Sequence, residues 1–380
     1  MELRIFSSIE EIAAQDWQAL TPQDFPFADH AFFLNLEKSR SIAGHSGWKP
    51  FYLTLWEDKK LVAALPLFEK SHSYGEFIFD WAWAEAYHRH GLAYYPKLCA
   101  ATPMTPASGP KLLSLSHEKE NFGKELIRSA QTLLGERQNS GLHFLFIPED
   151  EIPIYQNQGF LIRHSYQYHW HNLGYQSFAD FLAVLKRKRR QQIVSERKKV
   201  EQLGLQIELF IGSQIQKEHL EAMMSFYFVT HQQKGSPTYL QPEFFLEMEA
   251  ALKQQCMIIL AKEGQDWVAG AIFFFKGKNL YGRYWGAMKD YPFLHFELCY
   301  YRPIEWAIAQ GFQKVEAGAQ GEHKFLRGFE PTLTYSAHYL RHQGFQRAIG
   351  DFIEAEKLKI QDYFRGMEEL SPYQIISRNS

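Results

Sequence analysis

The chain has 380 residues, 46% of them hydrophobic and 22% charged, which fits folded domains with sizeable cores and excludes disorder and fibres. Lys and Arg number 41 against 43 Asp and Glu, so the net charge of −2 excludes a global field that selects polyanions. The exception is local: residues 186–199, KRKRRQQIVSERKK, hold eight bases and one acid.

Cys99, Cys256 and Cys299 are odd in number and far apart, so neither a disulfide framework nor a CxxC metal knuckle is expected. MELRIFSSIEE lacks a basic region followed by an apolar run, and no stretch approaches 18 apolar residues. A reducing cytoplasmic setting without a membrane span is the expectation. Aromatics reach 16%, enough to fill cores and to line a cleft.

In chain order, LTLWEDKKLVAALPLF (53–68) reads as two strands about a polar turn, with a third strand near 76–81. Phe122, Leu126, Ala130 and Leu133 recur at helical spacing, and Gly141 follows as a C′ signal. LHFLFI (142–147) reads as a strand, and GFLIRHSYQYHW closes the half at 159–170. Ser177-x-x-Asp180 then opens a helix expected over 178–203. Its apolar stripe runs through Phe178, Phe181, Leu182, Leu185, Ile193, Val200 and Leu203, with Lys186, Arg190 and Arg197 beside it.

The second half repeats the first. IILAKEGQDWVAGAIFFF (258–275) is again strand, turn, strand, and a third strand follows at 280–285. Leu294, Leu298, Tyr301, Ile304 and Ile308 mark a helix ended by Gly311, ahead of strand FQKVEAG (312–318). GFEPTLTYSAHY (328–339) places Gly328-Phe329, Tyr335, His338 and Tyr339 where the first half has Gly159-Phe160, Tyr166, His169 and Trp170. A last amphipathic helix spans about 344–370, through Phe345, Ile349, Phe352 and Ile353. The pattern predicts a duplicated α/β unit with mixed sheets, 1–172 and 173–380, joined by the basic helix at 178–203.

Several stretches carry a resemblance: HSYGEFIFDWAW (72–83), YYPKL (94–98), TPMTPASGPKLL (102–113), LKRKRRQQIVSERKKV (185–200), YGRYWGA (281–287), LHFELCYY (294–301) and GAQGEHKFLRGFEPTLTYSAH (318–338). The sequence resembles the FemAB-like N-acyltransferases of the GNAT superfamily, also described as peptidoglycan biosynthesis/recognition proteins. The resemblance implies tandem GNAT-like domains. It also implies acyl or aminoacyl transfer to an amine, with a cell-wall precursor as a candidate acceptor, from acyl-CoA or aminoacyl-tRNA as co-substrate. One departure stands out. The R/Q-x-x-G-x-G/A loop that holds a pyrophosphate on backbone N–H groups is absent before both helices. Fem-type relatives that use aminoacyl-tRNA also lack it. Two other functions stay open: a CoA-dependent acetyltransferase, and a catalytically inactive module that binds a phosphate-bearing ligand or nucleic acid.

Amine acylation needs a proton acceptor, donors for the oxyanion and cations for the donor's phosphates. GEHKFLRGF (321–329) offers His323 for catalysis. The resemblance assigns the phosphate contact to Lys324, with Arg327 beside it. HFELCYY (295–301) offers Glu297 as base, Tyr300 or Tyr301 as proton donor and His295 as a substrate contact. RYWG sets Arg283 and Trp285 on one strand face, an anchor for an anion. YYPK offers Tyr95 and Lys97, and the basic helix offers Lys186 and Arg190 for phosphates or tRNA. His88/His90, His169/His171 and His338/His342 could supply paired ligands, but no carboxylate or cysteine stands at a matching interval, so no metal is assigned.

Overall fold

A computed structural model describes residues 1–115, 119–318 and 321–374. The chain forms two compact units, neither a continuous half: Met1–Ser165, Tyr239–Glu249 and Leu333–Gln361 make the first, and Tyr166–Thr238, Ala250–Thr332 and Asp362–Ser380 the second. This partition departs from the expected boundary at 172/173.

Strands of the first half are β1 (Glu2–Phe6), β2 (Trp48–Glu57), β3 (Lys60–Lys70), β4 (Lys97–Ala100), β5 (Leu113–Ser114), β6 (Gly141–Ile147) and β7 (Leu161–His171). Those of the second are β8 (Gln206–Ile211), β9 (Cys256–Glu263), β10 (Asp266–Lys276), β11 (Asn279–Ala287), β12 (Lys314–Glu316) and β13 (Glu330–Leu340). In the first unit the sheet runs β1-β2-β3-β4-β6-β13, with β5 off this path on β3. Every pairing along it is antiparallel except the parallel β4–β6. In the second unit it runs β8-β9-β10-β11-β12-β7, antiparallel except for the parallel β11–β12. The two mixed sheets share one topology, as the internal repeat predicts.

The repeat also explains the discontinuous units. The strand that closes each sheet comes from the other half of the chain. His169–His171 of β7 pair with Lys314–Glu316, and Tyr335–Leu340 of β13 pair with β6. The two Gly-Phe-x5-Tyr-x2-His motifs are equivalent in fold but exchanged in place. Residues 239–249 likewise cross to the first unit, where Asn35 Nδ2 donates to Phe244 O at 3.1 Å and Lys38 pairs with Glu249 at 2.8 Å.

The helix stripes behave as their spacing predicts. Phe122, Leu126, Ala130 and Leu133 of the helix Lys119–Glu136 are buried in the first core. Leu294, Leu298, Tyr301, Ile304 and Ile308 are buried in the second. Burying one such side chain contributes about 1.5–3 kcal/mol, so either stripe can dock its helix. Helix Gln343–Glu369 matches the expected tail.

Two expectations need correction. The segment near 76–81 is not a strand, and β4 lies later, at Lys97–Ala100. Glu76 and Asp80 are buried against Lys97, and Phe77 sits at φ +60, a backbone that cannot continue an extended ladder. The basic stretch is two helices, Phe178–Val184 and Arg187–Glu201. Leu185 and Lys186 turn extended between them, where Leu185 bridges Tyr373 and the Lys186 N–H donates to Pro372 O at 2.8 Å. Phe181, Leu185, Ile193 and Val200 remain buried, and Leu182 partly so.

Candidate functional site

In the second unit the parallel strands separate early. Asn279, Leu280 and Tyr281 pair with Lys314, Val315 and Glu316. Beyond that point β11 runs on to Ala287 beside β10, while the chain after β12 leaves the sheet. Parallel strands that diverge at their carboxyl ends open a crevice where ligands collect in α/β sheets.

The first unit has the same split but fills it. After β4 pairs with β6 at Leu98–Ala100, the segment 101–112 stays buried nearly throughout. The Gly109 N–H and Lys111 Nζ donate to Phe146 O on β6, at 3.0 and 3.2 Å. In the first unit the protein's own backbone thus covers this edge of β6.

A helix and a short turn bring side chains to the end of the strand split in the second unit. The helix begins as Leu294–Phe296, widens into a π-helical turn over Glu297–Tyr301 and continues as Arg302–Ala309. Single π-helical turns within helices are frequent at functional sites. The turn is a 3-10 helix, Glu322–Arg327, between Gly321 at φ +117 and Gly328 at φ +87. A Cβ on Gly328 would lie 2.6 Å from the Phe181 ring, so this end needs glycine both for its backbone and for its neighbour.

Between helix and turn lies a chain of rings. Trp285 of β11 packs on His295 at 5.2 Å, and His295 meets Tyr300 at 5.3 Å and His323 at 5.9 Å. The Tyr300 hydroxyl is 2.8 Å from His323 Nε2. Part of His323 is exposed, but its ring packs against His295, Phe296 and Tyr300. Burial holds its pKa below the ordinary value, and the charges of Arg327 and Lys324 push the same way. His295 is driven further, to about 3, again mainly by burial. Both imidazoles are therefore neutral at pH 7, and His323 can accept a proton.

Lys324 is 2% exposed, and its Nζ donates to Gly318 O at 2.9 Å. Among the described residues no carboxylate pairs with it. Burial lowers its pKa to about 8, leaving it mostly charged at neutral pH and close to deprotonation.

Other expected site residues are engaged in buried ion pairs and hydrogen bonds. Glu297, expected as the base, is buried and accepts from Arg197 on both oxygens, at 3.0–3.2 Å, and from Arg302 Nε at 3.0 Å. Guanidinium groups thus occupy both of its oxygens. Tyr301, expected as a catalytic group, is buried and donates to Glu196 Oε2. Arg327, expected on phosphate, pairs with Glu196, with Nη2 to Oε1 at 2.7 Å, and lies 3.4 Å over the Phe296 ring. Of the tyrosine pair, Tyr300 reaches His323. The lone acid in the basic stretch was the sequence signal for Glu196.

The Arg283–Trp285 anchor is also divided. Gly282 and Tyr284 face Phe273 and Ile272 of β10, so Arg283 is the extra residue of a bulge. Trp285 turns toward His295, whereas Arg283 lies 5.3 Å from the Tyr284 ring, which packs edge-on against Tyr227.

Tyr95 and Lys97 belong to the first unit. Lys97 is 1% exposed and pairs with Asp80 and, at 2.8 Å, with Glu76. Burial opposes its charge, but the two carboxylates outweigh that and hold its pKa above the ordinary value. It is the buried counter-ion of Glu76 and Asp80. Tyr95 bonds Ser73 at 2.8 Å. On the basic helix Lys186 is exposed and Arg190 half-buried. His169 and His338 are buried at equivalent places, opposite Glu316 and His143 respectively.

The FemAB-like family, described as peptidoglycan biosynthesis/recognition, matches residues 8–375. The chain belongs to the FemAB-like family. No curated protein matches it. Among solved structures it is similar to FemX, at 12% identity and a TM-score of 0.56, covering 92% of this chain and 100% of that one. The C-terminal domain of a putative lysylphosphatidylglycerol synthetase from Agrobacterium fabrum is 10% identical, with TM-score 0.55 over 88% of this chain and 95% of that one. L-PGS from Bacillus licheniformis is 12% identical, with TM-score 0.50 over 84% and 95%. These likenesses establish the fold alone, a mixed α/β architecture. Among the described residues, no helix of this FemAB-like protein is long and apolar enough to cross a membrane.

Proposed function

We propose that the protein is an N-acyltransferase that moves an acyl or aminoacyl group to an amine acceptor in the crevice of the second unit. The carrying observation is the pairing of an open strand split with a buried lysine that lacks a carboxylate partner among the described residues, beside His323 and Tyr300. The family description, peptidoglycan biosynthesis/recognition, supports a cell-wall precursor as the acceptor.

In this reading neutral His323 takes the proton from the acceptor's ammonium, and Tyr300 orients the imidazole and passes a proton to the leaving group. The freed amine attacks the donor carbonyl and a C–N bond forms. The adduct's nitrogen loses its second proton to solvent. The bond to the leaving oxygen or sulfur breaks as Tyr300 protonates it and the His323 imidazolium reprotonates Tyr300. Lys324 offers its charge to the oxyanion of the tetrahedral intermediate or to a donor phosphate; in a dry site such a contact contributes about 1.5–3 kcal/mol. Trp285 and His295 wall the acceptor side. Lys186 and Arg190 extend a cationic surface suited to the phosphates of an aminoacyl-tRNA.

The test offers radiolabelled aminoacyl-tRNA, charged from a mixed amino-acid pool, and labelled acetyl-CoA, each with a lysine-containing muramyl peptide nucleotide. Transfer from tRNA that Lys324→Met abolishes is the expected result. Transfer from acetyl-CoA alone would indicate the CoA-dependent alternative. No transfer, together with steeply salt-dependent tRNA binding, would indicate a binding module.

A further inference from the structure

Consecutive residues of the helix Arg187–Glu201 reach two different parts of the cleft. Arg197 holds the π-helical turn through Glu297 and also bonds Glu305 at 2.9 Å. Glu196, 5% exposed, reaches the other way. Its Oε1 accepts from Arg327 Nη2 at 2.7 Å and Gln192 Nε2 at 2.9 Å; its Oε2 accepts from Arg327 Nε at 3.2 Å and from the Tyr301 hydroxyl. Arg327 passes this restraint on, since its Nη1 donates to the His323 carbonyl at 2.8 Å and its Nε also reaches Tyr301 at 2.9 Å.

We infer that Glu196 is a positioning residue for the turn that presents His323 and Lys324. The inference rests on the transferase reading for its purpose, but its geometry stands without it. The turn is short, its ends are glycines in left-handed conformations, and Lys324 Nζ has only a backbone carbonyl as acceptor among the described residues. Nothing in those features holds the turn against the tyrosine helix. The Glu196–Arg327 fork does, because a bidentate carboxylate–guanidinium pair fixes orientation as well as distance. Tyr301 joins the same carboxylate, so one side chain sets helix and turn together. Its neighbour Tyr300 is thereby placed against His323. Glu196 touches no reacting atom in this scheme. It acts through Arg327 and Tyr301.

The test needs no acyl donor. Glu196→Gln keeps the side chain's size but removes its charge and half its acceptors. Amide exchange of Lys324 and Gly328, whose N–H groups bond Gly321 O and Phe325 O, reports the turn, with helix Lys217–Gln233 as internal reference. The expected result is at least a tenfold loss of protection in the turn alone. The His323 imidazole, followed by NMR and assigned with His323→Asn, reports its surroundings: Glu322, Lys324 and Arg327 on its own turn, His295 and Tyr300 on the facing helix, and Glu196 behind Arg327. Its midpoint should fall in Glu196→Gln, by about threefold in protonation constant, because Arg327 is no longer neutralised. A folded Glu196→Gln protein with wild-type exchange and wild-type titration would overturn the inference. If that variant does not fold, the doubly neutral Glu196→Gln/Arg327→Gln decides. Local loss of protection supports the role, and wild-type protection ends it. Absence of any acyl transfer by the wild type would defeat the proposed function while leaving these measurements intact.

Discussion

Replacing Lys324 by Met should make the protein more stable and inactive. The native ammonium is 2% exposed and has a single acceptor among the described residues, Gly318 O. Burial lowers its pKa from 10.5 to about 8. At 1.36 kcal/mol per pH unit, keeping the charge buried at pH 7 costs about 3 kcal/mol. The unfolded lysine binds more protons than the folded one between pH 8 and 10.5, so stability rises with pH through that window. At pH 9.5 only about 1 kcal/mol of the cost remains. Methionine removes the cost but forfeits the hydrogen bond, about 1 kcal/mol. The variant should therefore exceed the wild type by about 2 kcal/mol at pH 7 and roughly match it at pH 9.5. Urea unfolding of both proteins at the two pH values measures this. A variant less stable at pH 7, or an advantage that does not shrink at pH 9.5, would refute the reasoning. A stabilising substitution that destroys activity is the usual mark of a strained functional group.

The transfer rate should follow a bell in pH, with its acid limb below 6.5 as His323 loses its proton and its alkaline limb near 8 as Lys324 does; a rate still climbing at pH 9 would discard the cationic role. Tyr300→Phe should slow turnover by about 100-fold with unchanged stability, while Tyr301→Phe should cost about 1–3 kcal/mol by leaving Glu196 short of a donor; paired rate and unfolding measurements would show the reverse if the helix were misread. Glu297→Gln should cost about 2–3 kcal/mol of unfolding free energy, less than a fully buried pair because Arg302 is partly exposed, and should leave the pH–rate limbs in place; a lost limb would restore it as the base. Lys97→Met should cost about 3–5 kcal/mol by stranding Glu76 and Asp80, with tRNA affinity unchanged in a filter-binding assay performed on the folded fraction; weakened affinity there would reinstate Lys97 as a phosphate contact.

The duplication was readable because each copy keeps its own local signals. Strand–turn–strand runs, a helix ended by glycine and the Gly-Phe-x5-Tyr-x2-His motif recur in order, and both sheets share one topology. Helical periodicity likewise marked which faces are buried, since the stripe at i, i+3, i+4 and i+7 is a property of the chain itself. The exchange of β7 and β13 was not readable. Two copies of one strand fit either sheet equally well, and local pattern carries no record of which sheet it joins. The roles of the charged residues were hidden for a related reason. Glu297 and Lys97 look like chemistry in a list of residues, and only the fold sets Arg197 against one, and Glu76 and Asp80 against the other. The tyrosine that reaches His323 was decided by a π-helical turn, which shifts the register by a residue without leaving a trace in hydrophobic spacing. A sequence states which groups are present. Which of them are neutralised, and which keep their charge unpaired, depends on partners that the fold brings from 17 to 131 residues away.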